Sequence, residues 1–487
     1  MSGTKENDNQ GDANRDQLAD AQVVDNPNSE VDDEEKKHPI EDAIDTALHR
    51  YRDIEAVSRL LVPAAAKLQK DIFQSANDVF ETARKQIDEG GEEDCGDGNL
   101  AANLDDAMLV IDRVAEANLP RTLNVSLFLG LFSAFDAFTG NLLSAIYLRR
   151  PDLLESLNAE VPLSEILRFD TFDDLKKAVL ADEIDAFRRK SYVEQFELLE
   201  KRFGLPLRSL ESWSEFVEIG QRRNLITHCE GVVSKQYLQV CAKHGTEIQQ
   251  DLMEGDQLSV SLGYLLRSCS VLYEVTLKLG QTLWRKVFPN EHHIANSHLI
   301  DPVYQSLQIE RWDRAILISE FAGTVEGKAN ERDRRIRVIN SAIAYRFSGN
   351  ERRCEDVLSA EDWSAASKDF NLAVEVLRGN FEDAACLMTE IGKKGDLVTK
   401  SAYHTWPLFR EFRRSGQFLT VYEKVFGSTF TAGMVQEAAE AEGGDTDPEM
   451  DESAESDSEV KVTQDSLEPK DLRMKLRDMD VVKALIG

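Results

Sequence analysis

Apolar residues recur at steps of three and four along most of this chain, while the alternation that marks strands is weak throughout. Ile54, Val57, Leu60, Leu61, Ala64 and Leu68 predict a helix that starts at Ile40 and runs to about Ile87, where the acidic run Asp88–Asp94 stops it. A shorter helical segment is expected over 100–117. Between Asn118 and Phe288 the pattern predicts a long apolar helix over about 121–149, a linker with two short helices, and helices near 190–203, 211–230 and 258–287. Pro151, Pro162 and Pro206 fall between these segments and mark the breaks. Substantial helices joined by one longer connection describe a helical bundle. The fold expected is all-α.

From about residue 300 the helices shorten and glycines punctuate them. Ile343–Asn350, Val376–Ala384 and Phe412–Phe418 look alike, and Gly349, Gly379 and Gly416 each fall where one periodic helix ends and the next begins. This resembles a degenerate tetratricopeptide-type hairpin array over about 302–427, without the Trp-Leu-Gly-Tyr pattern; a second, non-repeat bundle is the alternative. The organisation expected is a disordered acidic tail (1–38), a helical extension (39–117) with an acidic linker (88–98), a bundle (118–290) and a hairpin module (300–430). A disordered acidic segment (431–470) and a short amphipathic helix (471–487) complete the chain. In that last helix Leu472, Leu476, Met479, Val482 and Ile486 share one face, which docks back or enters a partner's groove.

Charge changes this picture by its location. The chain has 57 Lys+Arg against 89 Asp+Glu, a net charge of −32. Three segments, 1–37, 88–98 and 437–470, carry −7, −6 and −11 of it, leaving about −8 for the other 405 residues. The acidity argues against a membrane surface and a broad nucleic-acid face, yet leaves room for a local basic site. The tails are expected to solubilise the chain, with shielding of a basic cleft as a second role. Six scattered cysteines without a CxxC read as free thiols in a reducing compartment. The N-terminus has no apolar stretch of the kind a secretory signal needs. Leu127–Tyr147 is interrupted by Ser133, Asp136, Thr139 and Asn141, which reads as a buried helix and not a membrane span. A cytoplasmic protein without membrane contact is expected.

Most chemical signatures are missing: there is no Gly-rich phosphate loop, no GxSxG, no HExxH and no Cys/His quartet. His292, His293 and His298 lack the ligands that would complete a metal set, so neither metal nor cofactor is expected. One constellation stands out, Gln221-Arg222-Arg223-Asn224-Leu225-Ile226-Thr227-His228. On a helix that opens with Trp213, Phe216, Val217 and Gly220, steps of three and four put Asn224 and His228 on the inward face. Arg223 lies about 140° round the helix from His228, so a second helix or subunit completes the site more easily.

These residue types suit metal-free RNA cleavage. An imidazole moves the proton of a ribose 2′-OH or of the leaving 5′-oxygen, a guanidinium holds the scissile phosphate, and an amide positions either. The purely structural alternative is a surface arginine pair with an amide–imidazole contact inside the bundle. The form Arg223-Asn224-x-x-x-His228 near the end of the third long helix resembles the signature of the HEPN superfamily. The apolar helix 129–143, which carries Asp136 and Asn141, and the Gly231-Val232-Val233 after the motif are in keeping. The resemblance covers about 120–288, and the 151–189 insertion departs from the family's compact bundle.

The resemblance implies a metal-independent endoribonuclease acting as a homodimer on RNA, in a stress or antiviral defence setting. It makes His228 the acid/base, Arg223 the phosphate-binding group, Asn224 the positioning group and Arg222 a second phosphate contact. Asp136 is expected either to orient Arg223 or His228 or to be a buried acid paired to an arginine. The alternative is a catalytically inactive scaffold that dimerises through the bundle and binds a protein through 300–430 and the 471–487 helix. Arg332, Arg334, Arg335, Arg337, Arg352 and Arg353 read first as a salt-bridge surface, and second as an RNA contact. Trp312, Trp363 and Trp406 are expected to anchor the core.

Overall fold

The computed structural model describes residues 37–89, 118–156, 160–248, 251–325, 327 and 330–430, with a few positions between 102 and 110. The expected tails, most of the 88–98 linker, the 471–487 helix and most of 100–117 lie outside the described residues. The chain divides into two units at Val421/Tyr422. In the second, Tyr422 packs on Phe426 and Phe430. The first holds the helices that position the motif.

The elements up to residue 290 are α1 (Pro39–Glu89), α2 (Leu119–Arg149), α3 (Leu163–Ile166), α4 (Phe172–Arg188), α5 (Tyr192–Phe203), α6 (Trp213–Cys229), α7 (Lys235–Lys243) and α8 (Leu262–Val287). The architecture is all-α, with a lone antiparallel bridge between Val232 and Gln257 and no strand among the described residues.

On α1 the buried stripe is Ile40, Ala43, Ile44, Ala47, Leu48 and Tyr51, packed on α2 and α8. The stripe continues through Glu55, Ser58 and Val62, on a face turned away from the expected one, so Val57, Leu60 and Leu61 are exposed. At about 1.5 Å per residue, α1 spans roughly 75 Å and α2 roughly 45 Å. The side chain of Gln69 accepts from the Leu119 N–H at 3.2 Å, where α2 begins, and α1 continues past that point.

Helix α2 packs on α1, α4, α6 and α8. That explains why it is apolar almost all round, with Phe128, Leu131, Phe132, Phe135, Phe138 and Leu142 buried. It is long and apolar enough to cross a membrane by length and composition alone, and half of its most apolar window is buried against the rest of the chain. An aromatic cluster ties α2, α5 and α6 together: Phe135 lies 5.3 Å from Phe216 and 5.7 Å from Tyr192, and Phe196 lies 4.9 Å from Trp213. Each such ring contributes about 1.5–3 kcal/mol by burial.

Local chemistry sets the helix ends around this cluster. Thr171 caps α4 by accepting from the Asp174 N–H, and Gly204 ends α5 in the left-handed region at φ 64°. Ser191 and Glu194 form a reciprocal capping box that starts α5.

Beyond residue 290 lie α9 (His292–His298), α10 (Ile300–Gln308), α11 (Trp312–Val325), α12 (Glu331–Phe347), α13 (Glu351–Ser359), α14 (Lys368–Arg378), α15 (Phe381–Ile391), α16 (Lys400–Thr405) and α17 (Gly416–Phe426). Consecutive helices pack on one another from α10 to α13, α14 packs on α15, and α12 also meets α14. Gly349 (φ 84°) and Gly379 (φ 80°) turn the α12–α13 and α14–α15 corners, whereas Gly416 opens α17 without a positive φ. Glu55 on α1, buried, pairs with Arg311 and Arg314 and fastens this region to the first helices. The arginine cluster pairs with neighbouring acids, Arg334 with Glu361 at 2.8 Å and Arg335 with Glu331 at 2.6 Å. Trp312, Trp363 and Trp406 are half-buried and not core anchors; they pack against Phe347, Phe370 and Phe409 at the rim of the packed helices.

Candidate functional site: a basic cleft beside helix α6

Helix α6 leaves the aromatic core part-way along its length. Trp213, Phe216, Val217, Ile219 and Gly220 are buried, while Thr227, His228 and Cys229 are exposed. In its second half the apolar contact passes to Leu225, which joins Val233, Tyr237, Cys241 and Leu258 in a small separate core with α7. The line carrying Asn224 and His228 is therefore turned toward an open cleft. This corrects the expectation that both face inward: Asn224 is half-buried and His228 exposed. Periodicity read upstream on the helix cannot register that the covering helices end.

The cleft encloses about 430 Å³ and is bounded by α6, by Asp136 of α2, by the turn 188–191 between α4 and α5, and by the start of α7. Arg223, Asn224 and His228 all line it, together with Asp136. Arg223 Nη2 lies 4.0 Å from Asp136 Oδ2, and Nη1 donates to Asn224 Oδ1 at 3.0 Å. Asp136 also accepts from the Tyr192 hydroxyl at 3.1 Å. Burial pushes the Asp136 carboxyl above its ordinary value, against the lowering influence of the Tyr192 hydrogen bond and of Arg223. Burial and the adjacent Asp136 charge drive the Tyr192 phenol upward as well. Asp136 is half-buried and faces Arg223, a contact that both roles expected for it share. The imidazole of His228 makes no hydrogen bond among the described residues.

Two glycines make the room these side chains need. A Cβ on Gly220 would lie 2.9 Å from the Tyr192 ring, and a Cβ on Gly140 would overlap the Arg188 guanidinium. Arg188 passes over α2 at that point and donates through Nε to the Asp136 carbonyl at 3.0 Å.

Arg222 does not reach the cleft. Its Nε donates to Glu218 Oε1 at 2.8 Å, Nη1 donates to the Ser259 carbonyl at 3.1 Å, and the guanidinium lies 4.0 Å from the centre of the Tyr264 ring. Glu218 is buried and also accepts from the Tyr237 and Tyr264 hydroxyls at 2.7 and 2.6 Å. Arg222 is thus part of a saturated internal network, and the expected second phosphate contact is not among the groups brought together.

In its place the fold supplies residues that no sequence motif had singled out: Arg188, Arg189 and Lys190 line the same cleft. Their signal is a run of three cations directly before the Ser191 cap. Nothing local connects that run to α6, which begins more than twenty residues later.

Among the described residues, one group elsewhere offers ligand atoms in cation-binding reach, Glu41, Asp45 and His298. Lys37 Nζ already lies 2.5 Å from Asp45 there, and His298 engages Asp45 at 2.9 Å and Gln281 at 2.7 Å, so it is an internal ion-pair cluster. His292 and His293 are not part of it.

Comparison with protein-family models, with curated proteins and with solved structures finds no match to this chain.

Proposed function

We propose that this protein is a metal-independent endoribonuclease of HEPN type that cleaves RNA at the cleft beside α6. The observation that carries the reading is the convergence of Arg223, Asn224 and His228 on one basic cleft of nucleotide size in an otherwise acidic chain. His228 is exposed and its ring nitrogens are unengaged among the described residues, as a group that exchanges protons with a substrate requires. In the reaction the 2′-oxygen attacks the adjacent phosphorus while one imidazole takes its proton. The P–O5′ bond breaks, a second imidazole protonates the leaving oxygen, and the products are a 2′,3′-cyclic phosphate and a 5′-hydroxyl. Arg223 stabilises the charge that grows on the phosphoryl oxygens, and Asn224 holds Arg223. Two copies of His228 in a homodimer supply the base and the acid. The helices of 300–430, as a hairpin array, recruit a protein partner or the substrate.

A second reading rests on the Arg223–Asp136–Asn224 contacts. They hold the guanidinium internally, as in a non-catalytic scaffold that dimerises through the bundle and binds a protein. RNA cleavage measured with EDTA present separates the two. His228→Ala and Arg223→Ala are each expected to lower the rate by about 100-fold or more. Cleavage unaffected by both removes the catalytic assignment, and a dimer that cleaves no RNA leaves the scaffold.

A further inference from the structure

Among the cations of the cleft, Arg188 and Arg223 have partners inside the chain. Arg188 donates to the Asp136 carbonyl and sits 3.8 Å from Asp185, and Arg223 faces Asp136. Arg189 and Lys190 differ. Both are exposed, both line the cleft, and neither side chain makes an ion pair or hydrogen bond among the described residues. In a chain with a large excess of acids, two adjacent cations at the mouth of a cleft that form no close ion pair, with only a longer-range attraction between Lys190 and Glu194, are available to an outside anion.

Their backbone is held in place. The Arg189 N–H donates to Asp185 O at 3.2 Å and the Lys190 N–H to Phe187 O at 3.1 Å. Gln195, buried on α5, donates through Nε2 to the Lys190 carbonyl at 3.0 Å. Arg188, lodged against Gly140, anchors the other end to α2. The nearest acid on α5, Glu194, is engaged by the Ser191 N–H at 2.9 Å and the Ser191 hydroxyl at 2.7 Å in the capping box. A second groove of about 250 Å³ between α2 and α4 shares Arg188 with the cleft and carries the exposed Lys177. That groove also carries the exposed Asp185 beside Arg188, so the unpaired positive charge is concentrated on the Arg189–Lys190 side.

We infer that Arg189 and Lys190 form a rigid phosphate-binding strap that holds the phosphodiester neighbouring the one cleaved, on the same single RNA strand. This rests on the ribonuclease reading of the cleft for its ligand, and it gives the 151–189 insertion, with the turn that ends it, a function of its own. Backbone contacts of this kind position a strand without reading its sequence.

The test uses the full chain and a 2′-O-methyl RNA oligonucleotide that cannot be cleaved by 2′-oxygen attack. Arg189→Ala/Lys190→Ala is expected to weaken binding about tenfold near 0.1 M salt. It should also flatten the slope of log K against log salt by about 0.7 per lost contact. Arg189→Lys/Lys190→Arg, which keeps both charges, should bind nearly as wild type, and thermal unfolding of all variants checks that the fold is intact. Affinity and slope unchanged in the alanine pair, or no binding by the wild type, overturns the strap. Cleavage is read separately on unmodified RNA. Binding that depends on the strap in a protein that never cleaves upholds the strap and removes the nuclease. Cleavage in a protein whose binding ignores the strap does the reverse.

Discussion

On one side of helix α6, Arg222 enters a network in which Glu218 accepts from a guanidinium and two phenols, and the guanidinium also donates to the Ser259 carbonyl. On the other side Arg223 lies 4.0 Å from a carboxylate that is itself half-buried, beside an imidazole with no partner among the described residues and a strap of unpaired cations. The two arginines are adjacent in sequence and have the same chemistry. What separates them is saturation. The first side is the arrangement a fold needs to bury charge, and the second keeps capacity for a ligand.

The sharpest way to break this comparison is to remove each arginine in turn and measure unfolding by urea. Arg222→Ala leaves Glu218 buried without its cation and should cost about 3–5 kcal/mol. Arg223→Ala removes a longer, partly exposed contact and should cost about 0–1 kcal/mol. Equal costs would mean that both sides are structural.

A smaller effect concerns Asp136. Its carboxyl is raised above the ordinary value of 3.8 by burial, so the folded state holds the proton more tightly than the unfolded chain does. The stability this contributes is complete below that ordinary value and is lost as pH rises through the folded-state pKa. Asp136→Asn removes the loss. The melting temperature of the variant relative to wild type should therefore climb as pH rises from the ordinary carboxyl value through the higher folded-state one. A difference that does not change with pH would show that the Arg223 pairing balances burial, and one that falls as pH rises would show that it outweighs burial.

The smallest effect expected is that of the acidic segments. Deleting 1–37 and 437–470 removes −18 of charge and should strengthen RNA binding at low salt. The gain should fade near 0.15 M salt, where charges more than about 8 Å apart are screened. No gain at low salt would leave the tails a solubilising role only.

The legible part of this protein was what neighbouring residues decide among themselves. The long helices up to residue 287 came from three- and four-residue periodicity and proline breaks, because helix formation is local, whereas α7 was not expected and the seventeen-residue α4 was expected only as a short helix. Arg223, Asn224 and His228 were legible for the same reason, since one helix carries all three. Asp136 was found because an acid inside the apolar helix 129–143 is conspicuous. Periodicity gave the wrong stripe on α1, because part of the buried face there is polar: Glu55 is buried by Arg311 and Arg314, which are distant along the chain, and a count of apolar residues passes over it. It also turned His228 inward, because the same face of α6 is covered at Phe216 and open at the last turn.

By itself, then, the sequence determined the all-α character, the helix carrying the motif, and the segregation of acid into the segments 1–37, 88–98 and 437–470. Only the tertiary structure decided which arginine of an adjacent pair lines the cleft and which is held in an internal network. It also brought Arg188–Lys190, more than thirty residues upstream, to the wall facing Arg223. Helices are set by contacts three and four residues apart, whereas pairing and exposure of charge depend on groups distant along the chain, and no local pattern records them.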